Sequence, residues 1–362
     1  MKWSHHIPDR RLGLAVACAL ALVLAAGCGS DSSSGSSDGD QTDSSSDTPV
    51  SITYVAPAIG NPFYAPVQAG AEAAAGELDL DVEYVGPANG DPQQQVAMIN
   101  AAAQKQVDAI VVLSGTPDAA KGAIDRAVDA GIVVATTNAD TPGSKRTFFV
   151  GSDFEMEGQV QAKALAATLK AEQRTEDVKI AITECIPGNE ALKTRVEAFK
   201  STLSDDPDIT FEVVGQFASS LDTVKNKQVY DNIISANPDV DVLYGTCAVD
   251  TRNAGTVAKE AGNRDIIAFG FDLLPDTLRL IDEGWVRWSL GQNPYEQGFL
   301  PAQLLADHVR DDKPLPDGFV QVETELVTPD EELEPVTAEF PDVMLVTDIM
   351  GTLERESVYY EE

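Results

Sequence analysis

The sequence predicts an α/β fold made of two lobes, each built on a doubly wound parallel sheet. From Ser51 onward, short β-rich runs alternate with longer amphipathic helical stretches, a pattern typical of parallel sheets covered on both faces. The alternation starts twice, at Ile52 and again at Val178. With 362 residues, the chain is long enough for two domains with cores of their own. One continuous sheet with this many strands is the less favourable alternative.

Strands and helices are predicted in strict alternation. The predicted strands span residues 52–56, 82–85, 109–113, 132–136, 178–183, 211–216, 242–244 and 266–269. The predicted helices span residues 65–78, 93–105, 118–130, 154–169, 190–203, 224–235 and 250–261. In open α/β sheets, ligands bind beyond the carboxyl ends of the strands, where helix N-termini also point. We therefore expect a ligand cleft between the two lobes.

The N-terminus has the pattern of a signal peptide over residues 1–27. Basic residues precede an apolar run from Leu12 to Ala26, which is too short for a comfortable membrane span. The small residues before Cys28 resemble a bacterial lipobox, although Ala25 stands where a large aliphatic residue is usual. We expect an exported protein anchored to the outer face of the cell membrane by a lipid on Cys28. The alternative is a cleaved signal with an incidental Cys28 and a freely periplasmic protein.

Residues 28–48 and the overall charge limit the possible partners. This segment is almost entirely Ser, Asp, Gly and Thr, so we predict a disordered tether behind the anchor. The formal net charge of −34 excludes ordinary nucleic-acid binding, which needs clustered Lys and Arg. Such acidity also favours a soluble monomer, attached to the membrane through its lipid only.

The segment Asn61-Pro62-Phe63-Tyr64 lies at the first predicted strand-to-helix corner. One interpretation is structural: Asn61 caps the helix, Pro62 occupies its first position, and the aromatic side chains fill the core. The other is that Asn61, Phe63 and Tyr64 offer an amide and two aromatic faces to the cleft. By themselves these residues favour the structural interpretation.

Several segments, in order, resemble the ribose-type periplasmic sugar-binding proteins, which are the type I solute-binding proteins of ABC importers. They are Asn61-Pro62-Phe63-Tyr64, Gly115-Thr116-Pro117-Asp118, Asn138-Ala139-Asp140 leading to Val150-Gly151-Ser152-Asp153, Pro187-Gly188-Asn189 followed by Arg195 and Phe199, Phe269-Gly270-Phe271-Asp272, and Gln292-Asn293-Pro294. The resemblance covers roughly residues 52–328.

The resemblance implies a type I clamshell with a three-strand hinge. The N-terminal lobe would comprise residues 49–151 and 292–321, and the C-terminal lobe would comprise residues 152–291 and 322–330. Residues 331–362 form an acidic extension beyond the usual end of the family. We interpret this extension as a surface appendage, although residues 344–346 are also compatible with an added strand.

The resemblance also implies a set of ligand-binding residues. They are Asn61, Phe63, Tyr64, Asn138, Asp140, Ser152, Arg195, Asp272 and Gln292. Aromatic faces suit the C–H patches of a sugar, and amides, carboxylates and Arg suit its hydroxyls.

Structural alternatives remain open for several of these residues. Residues 138–143 are rich in turn formers. A helical Arg195 beside an acidic residue is ordinarily solvated, Asp272 could cap the next helix, and Asp153 could bind ligand in place of Ser152 or cap a helix.

Cys185 and Cys247 remain in the exported domain once the signal and the anchor are set aside. Two cysteines in an exported domain favour a disulfide over two buried thiols. They end neighbouring strands of the doubly wound order, so their Cα atoms could fall within the range of about 7 Å that a disulfide needs. Many relatives have Asn or Asp where Cys247 stands.

The predicted function is substrate binding for an ABC importer: the cleft would take a neutral sugar or polyol, and a membrane permease would receive it. A receptor that reports its ligand to a sensor kinase or chemoreceptor is the alternative. An exported hydrolase is a further alternative, with Asp140 and Asp272 as a carboxylate pair. We expect no enzyme activity, catalytic residue, cofactor or metal, because the only histidine outside the signal peptide is His308.

Overall fold

The structure is a computed structural model that describes residues 49–88 and 90–360. It confirms the predicted fold class, because these residues form two α/β lobes with separate, largely parallel sheets. The predicted signal peptide (1–27), Cys28 and the tether (28–48) lie outside the described residues. Among the described helices, none combines the length and the hydrophobicity needed to cross a membrane.

Strands and helices alternate along the described chain. The strands are β1 Val50–Val55, β2 Leu80–Val85, β3 Ala109–Val112, β4 Val133–Thr137, β5 Phe148–Gly151, β6 Val178–Glu184, β7 Phe211–Ala218, β8 Val242–Gly245, β9 Ile267–Phe271, β10 Trp288–Gly291, β11 Gly318–Gln321, β12 Thr324–Val327 and β13 Val343–Val346. The helices are α1 Ala65–Leu78, α2 Pro92–Lys105, α3 Pro117–Asp129, α4 Phe154–Ala171, α5 Glu190–Ser204, α6 Thr223–Ala236, α7 Ala248–Ala261, α8 Pro275–Asp282, α9 Pro294–Asp311, α10 Glu334–Thr337 and α11 Ile349–Ser357. Short 3₁₀ helices at Pro62–Tyr64 and Glu331–Leu333 precede α1 and α10.

The two sheets have the strand orders β11-β5-β4-β3-β1-β2 and β13-β12-β10-β9-β8-β6-β7. Their strands pair in parallel, except that β12 runs antiparallel to β10. Both orders reverse direction along the sheet, as in doubly wound folds, and such reversal opens a crevice at the carboxyl ends of the strands.

The chain passes between the sheets at three places. It leaves the first sheet after β5, returns after β10, and leaves again between β11 and β12. At the last passage, the Val322 N–H donates to the Gly151 carbonyl, so the first and third crossings lie side by side. Three adjacent strands therefore connect the lobes.

An aromatic stack forms the centre of the second core. Trp288 lies 4.6 Å from Phe269 between ring centroids, Phe269 lies 5.0 Å from Tyr244, and Tyr244 lies 4.5 Å from Phe199. All four side chains are fully buried. Since they belong to β10, β9, β8 and α5, their packing fixes the spacing of the strand ends and of the helix that carry the candidate site.

Glycines allow two helix pairs to approach closely. A Cβ at Gly158 of α4 would lie 2.3 Å from the Arg195 carbonyl oxygen of α5. A Cβ at Gly298 of α9 would lie 1.9 Å from the Val67 carbonyl oxygen of α1. The α4–α5 contact matters for the site, because it sets how deeply Arg195 is inserted.

The expectation that residues 331–362 form a surface appendage is wrong for the described part, which ends at residue 360. Strand β13 pairs in parallel with β12 at the edge of the second sheet. Leu333, Val336 and Val343 are buried in the same core cluster as the aromatic stack. Without β13, strand β12 would present an open edge, which proteins generally cover. The extension is therefore an integral layer of the second lobe.

A matched pair of substitutions in the extension tests this conclusion. Leu333 is 1% exposed, so Leu333→Ala leaves a cavity, and we expect a loss of about 2 to 5 kcal/mol in the free energy of unfolding. Met344 is 44% exposed, so Met344→Ala should change it by less than about 0.5 kcal/mol. Urea unfolding of both variants measures the difference; equal, small effects would show that the extension does not contribute to the core.

Candidate functional site

A cavity of about 210 Å³ lies between the lobes at the carboxyl ends of both sheets. The first lobe lines it with residues that follow β1, β3 and β4, and the second lobe with residues that follow β6, β8 and β9. Gln292, at the second crossing, completes the wall. Its place agrees with the rule that open α/β sheets bind ligands where the strand order reverses.

Asn61, Phe63 and Tyr64 all line this cavity. Asn61 also caps the 3₁₀ turn, since its Oδ1 accepts a hydrogen bond from the Phe63 N–H at 3.1 Å. The two rings meet edge to face with centroids 5.1 Å apart, and both pack against the first core. The capping and packing roles of this segment are therefore compatible with a place on the cavity wall, and ligand contact by these residues stays a prediction.

Arg195 is buried and tightly held, and does not lie on a solvated helix face. Its Nε donates to Glu157 at 2.7 Å, one terminal nitrogen donates to the Thr246 carbonyl at 3.3 Å, and the other donates to the Gln292 side chain. The guanidinium also lies over the Phe271 ring, 4.1 Å from its centroid. These contacts fix a cation in the cavity wall.

Gln292 links Arg195 to Asp272. Its Nε2 donates to Asp272 Oδ1 at 2.6 Å, while its Oε1 accepts from Arg195. Asp272 has φ of 72°, a left-handed conformation that Asp tolerates better than most residues. Burial raises the pKa of Asp272 to about 6, against the lowering effects of Arg195 and Gln292. The cavity wall thus carries a carboxyl group that titrates just below neutral pH.

Asn138 lines the cavity from the first lobe. It has φ of 64°, and its Nδ2 donates to Gln297 Oε1 at 3.0 Å. Gln297 in turn donates to the Gln292 backbone carbonyl at 2.7 Å. The amides of Asn138 and Gln297 therefore connect the first lobe to the same network through the crossing.

Asp140 and Ser152 do not line the cavity, contrary to the expectation from the resemblance. Both Asp140 carboxylate oxygens accept from Arg146, and Oδ1 also accepts from the Thr136 hydroxyl at 2.6 Å. The turn that follows Asn138 directs the Asp140 side chain back onto its own lobe. Ser152 is 2% exposed and lies behind the wall, at the first crossing. Of the proposed carboxylate pair, only Asp272 lines the cavity.

Sequence reasoning missed Glu157 and Gln297, which hold the cavity-lining side chains of Arg195 and Asn138 in place. Each is a fully buried polar residue on the first turns of a helix that directly follows a crossing, α4 or α9. A polar residue on the buried stripe of a helix is the signal that could have identified them. It also missed Phe154, Asn189 and Leu221, which line the cavity.

A disulfide joins Cys185 and Cys247 on the cavity wall, with Cα atoms 6.5 Å apart. The bridge connects the ends of β6 and β8, which pair directly. Beneath it, Asp250 lies 3.3 Å from Cys247 Sγ between the sulfur and its carboxylate oxygen. Burial raises the pKa of Asp250 to about 6, although Ser219 and Asn226 donate to it.

Comparison with known proteins gives relatives along most of the described chain. Xylose/arabinose-binding protein XylF of Sulfolobus acidocaldarius is 25% identical over 261 residues, which are 68% of this chain and 62% of that protein, less than two thirds of its length. Ribose import binding protein RbsB of Bacillus subtilis is 25% identical over 250 residues, 69% of this chain and 78% of RbsB. The crystal structure of GanP, a glucose-galactose binding protein from Geobacillus stearothermophilus, has a TM-score of 0.69 at 27% identity and covers 77% of this chain and 97% of GanP.

A family model described as a periplasmic binding protein domain matches residues 52–313, well over half of the chain. The match includes every cavity residue described above and ends before the extension that begins at residue 331. This chain therefore belongs to the periplasmic binding protein family, and its predicted resemblance to the ribose-type members is confirmed.

Proposed function

We propose that this protein is the extracytoplasmic substrate-binding component of an ABC importer and binds a neutral monosaccharide or related polyol between its lobes. One observation carries the proposal: the interlobe cavity combines the aromatic faces of Phe63 and Tyr64 with the hydrogen-bonded series Arg195, Gln292 and Asp272. Relatives named for xylose, arabinose and ribose binding support this ligand class.

The charges around the cavity favour a neutral ligand. Arg195 is paired with Glu157, and Asp272 lies near enough for the guanidinium to lower its pKa. The cation therefore has no excess charge to offer an anion, and a cationic ligand would face the guanidinium edge. Three of the five Arg195 N–H donors are used within the described chain, so two remain for hydroxyl acceptors.

The size of the cavity suits a single sugar ring. A cavity of roughly 150 Å³ holds a benzene molecule. The observed volume of about 210 Å³ leaves room for a six-membered ring with substituents. Closure of the lobes around the crossings would bury the ligand and present the closed form to a permease.

Binding without catalysis is the activity that these side chains support. Of the two carboxyl groups considered for hydrolysis, Asp272 lines the cavity, whereas Asp140 pairs with Arg146 and does not line it. His308, the only histidine among the described residues, is half-buried outside the cavity lining, and its Nδ1 lies 2.8 Å from the Lys313 carbonyl oxygen. Inertness of the purified protein toward glycosides would agree with this part of the proposal, and turnover would contradict it.

Phe63 is the first residue to test. Phe63→Ala removes a ring face from the cavity, and the loss of roughly 1.5 to 3 kcal/mol of apolar burial corresponds to about a ten- to hundredfold weaker sugar affinity. Phe319→Ala, the same truncation at a 45% exposed site outside the cavity, is the matched control. Calorimetric titration measures both affinities; equal affinity in the two variants would contradict a binding role for Phe63.

The second prediction concerns pH. Ligand hydroxyls would donate to ionised Asp272, whose pKa in the free protein is about 6. Affinity should therefore fall as pH is lowered from 7.5 to 5, by about tenfold per pH unit below 6. The raised pKa has the opposite effect on the stability of the folded protein, because folded Asp272 binds its proton more tightly than the unfolded chain does. Its contribution to the free energy of unfolding is therefore fully present below pH 3.8 and is lost as pH rises through about 6.

Two variants separate the carboxyl groups that titrate in this range. Asp272→Asn should bind more weakly at pH 7.5 and show a flat affinity profile down to pH 5. Asp250, whose pKa is also about 6, does not line the cavity. The affinity of Asp250→Asn for the sugar should therefore still fall as pH is lowered to 5. A sloping profile in Asp272→Asn would assign the titration to another group.

Export and lipid anchoring at Cys28 are part of the proposal and rest on the N-terminal pattern. Cys28→Ala should move the protein from the membrane fraction to the soluble fraction of an expressing bacterium. Cys18→Ala, within the predicted signal peptide, is the matched control and should leave the protein anchored. Unchanged membrane retention of Cys28→Ala in fractionation would exclude the anchor while leaving sugar binding untouched.

A further inference from the structure

The polar groups of the second lobe are distributed unevenly along its sheet, which bears on the ligand of the proposed function. Gln292 follows β10 and Asp272 follows β9, the strands nearest to the crossings. Moving away from the crossings, β8 and β6 end in the Cys247–Cys185 disulfide, and Leu221 lies beyond β7. All of these residues line the cavity. Asn189, the N-cap of α5, also lines this half, and its Oδ1 accepts from the Leu192 N–H at 3.2 Å. Apart from Asn189, the lining side chains of the second lobe far from the crossings are apolar.

The first lobe follows the same gradient. Asn138, beyond β4, is hydrogen-bonded into the polar network near the crossings. Pro57 and Ala58, beyond the more distant β1, contribute no side-chain hydrogen-bonding group. Several polar side chains also line this part of the first lobe, but most of their groups are used within the protein. The Asn61 oxygen accepts from the Phe63 N–H, Gln95 Nε2 donates to the Val55 and Leu113 carbonyls, and the Ser114 hydroxyl is bonded to Thr141. Thr116 is exposed at the edge of the lining. Far from the crossings, the first lobe therefore offers few polar side chains that are not already hydrogen-bonded, and the second lobe offers mainly sulfur and aliphatic carbon.

The disulfide makes this apolar half unsuited to a hydroxyl group. Its sulfur atoms have no N–H or O–H to donate and are weak acceptors. Ile186 and Leu192, beside it on the cavity wall, also have no polar side-chain atom. A sugar hydroxyl closed against this surface would lose its hydrogen bonds to water without replacement. A methyl group at the same place would gain contact with sulfur and aliphatic carbon.

We propose that the ligand is a deoxygenated sugar, such as a 6-deoxyhexose, whose methyl-bearing edge packs against the Cys185–Cys247 bridge. Its hydroxyl-bearing edge faces Arg195, Asp272 and Gln292. The inference rests on the proposed function, since it specifies the sugar that the same cavity selects.

Matched sugar pairs test the inference on the unmodified protein. L-Fucose and L-galactose differ only by the oxygen at C6, as do L-rhamnose and L-mannose. Thermal shift and calorimetric titration should find at least one deoxy sugar that binds at least about tenfold more tightly than its hydroxylated partner, which corresponds to 1.4 kcal/mol. Equal or tighter binding of the hydroxylated partners would overturn the inference and leave the proposed function standing. If no sugar or polyol binds, both fall.

Variants at the bridge identify the surface responsible. Cys185→Ala with Cys247→Asn places an amide where the sulfur lay, and should reduce the preference for the deoxy sugar at least about threefold. Cys185→Ala with Cys247→Ala removes the bridge without adding a donor, and should keep the preference. Circular dichroism checks that both are folded.

A second substitution makes the test independent of the bridge. Leu221 is 41% exposed at the cavity rim, so Leu221→Asn should fold whatever happens to the cysteine variants. Leu221→Asn should also reduce the preference for the deoxy sugar over its hydroxylated partner. If the ratio of the affinities for the deoxy sugar and its hydroxylated partner were unchanged in both Asn variants, this half of the cavity would not select the ligand.

Discussion

The buried ion pair between Arg195 and Glu157 is the constraint on which the site depends. The side chains are 4% and 0% exposed, so each charge has lost its water and needs the other. Burial raises the pKa of Glu157, and the guanidinium of Arg195 offsets only part of that rise. Removing either partner of such a pair costs about 3 to 5 kcal/mol, because an uncompensated charge stays behind. The pair is therefore satisfied only when α4 and α5 are in close contact, which the bare backbone of Gly158 allows.

From that pair the order of the site propagates through hydrogen bonds. Arg195 fixes Gln292, Gln292 fixes Asp272, and the Gln292 backbone carbonyl fixes Gln297, which holds Asn138. Since Gln292 lies at a crossing between the lobes, the network is anchored where the relative motion of the lobes is expected to be smallest. Such anchoring keeps donors and acceptors in place before a ligand arrives, which reduces the ordering cost of binding.

The C-terminal extension shows how a family fold is completed in an individual chain. Strand β13 covers the edge of β12, and Arg355 of α11 pairs with Glu325 of β12. Tyr359, just after α11, lies against Tyr295 of α9, with ring centroids 5.9 Å apart. Because α9 packs on α1 of the first lobe, the extension contacts both lobes beside the crossings. It is part of the hinge environment as well as of the core.

Much of the cavity could be predicted from the sequence, because the carboxyl ends of parallel strands meet at the crevice. Ser152, which follows β5 at the first crossing, is the exception and does not line the cavity. Asn138, Asp272 and Gln292 each follow a strand end and line the cavity. Asp140, two residues further along a turn, is instead directed to Arg146, because a turn can direct a side chain to either side. Arg146, its partner, is six residues away and carries no periodic signal.

The sequence by itself determined the fold class, the two lobes and the strand ends at which binding side chains occur, since hydrophobic periodicity and turn residues act locally. It also indicated the Cys185–Cys247 bridge, because neighbouring strand ends are fixed by the fold. Only the tertiary structure decided that Arg195 is inserted into the core, that Glu157 and Gln297 support the site, and that the extension adds a strand. Each of these depends on contacts between distant segments, and a buried polar group acquires its role only from the partner that packing brings to it.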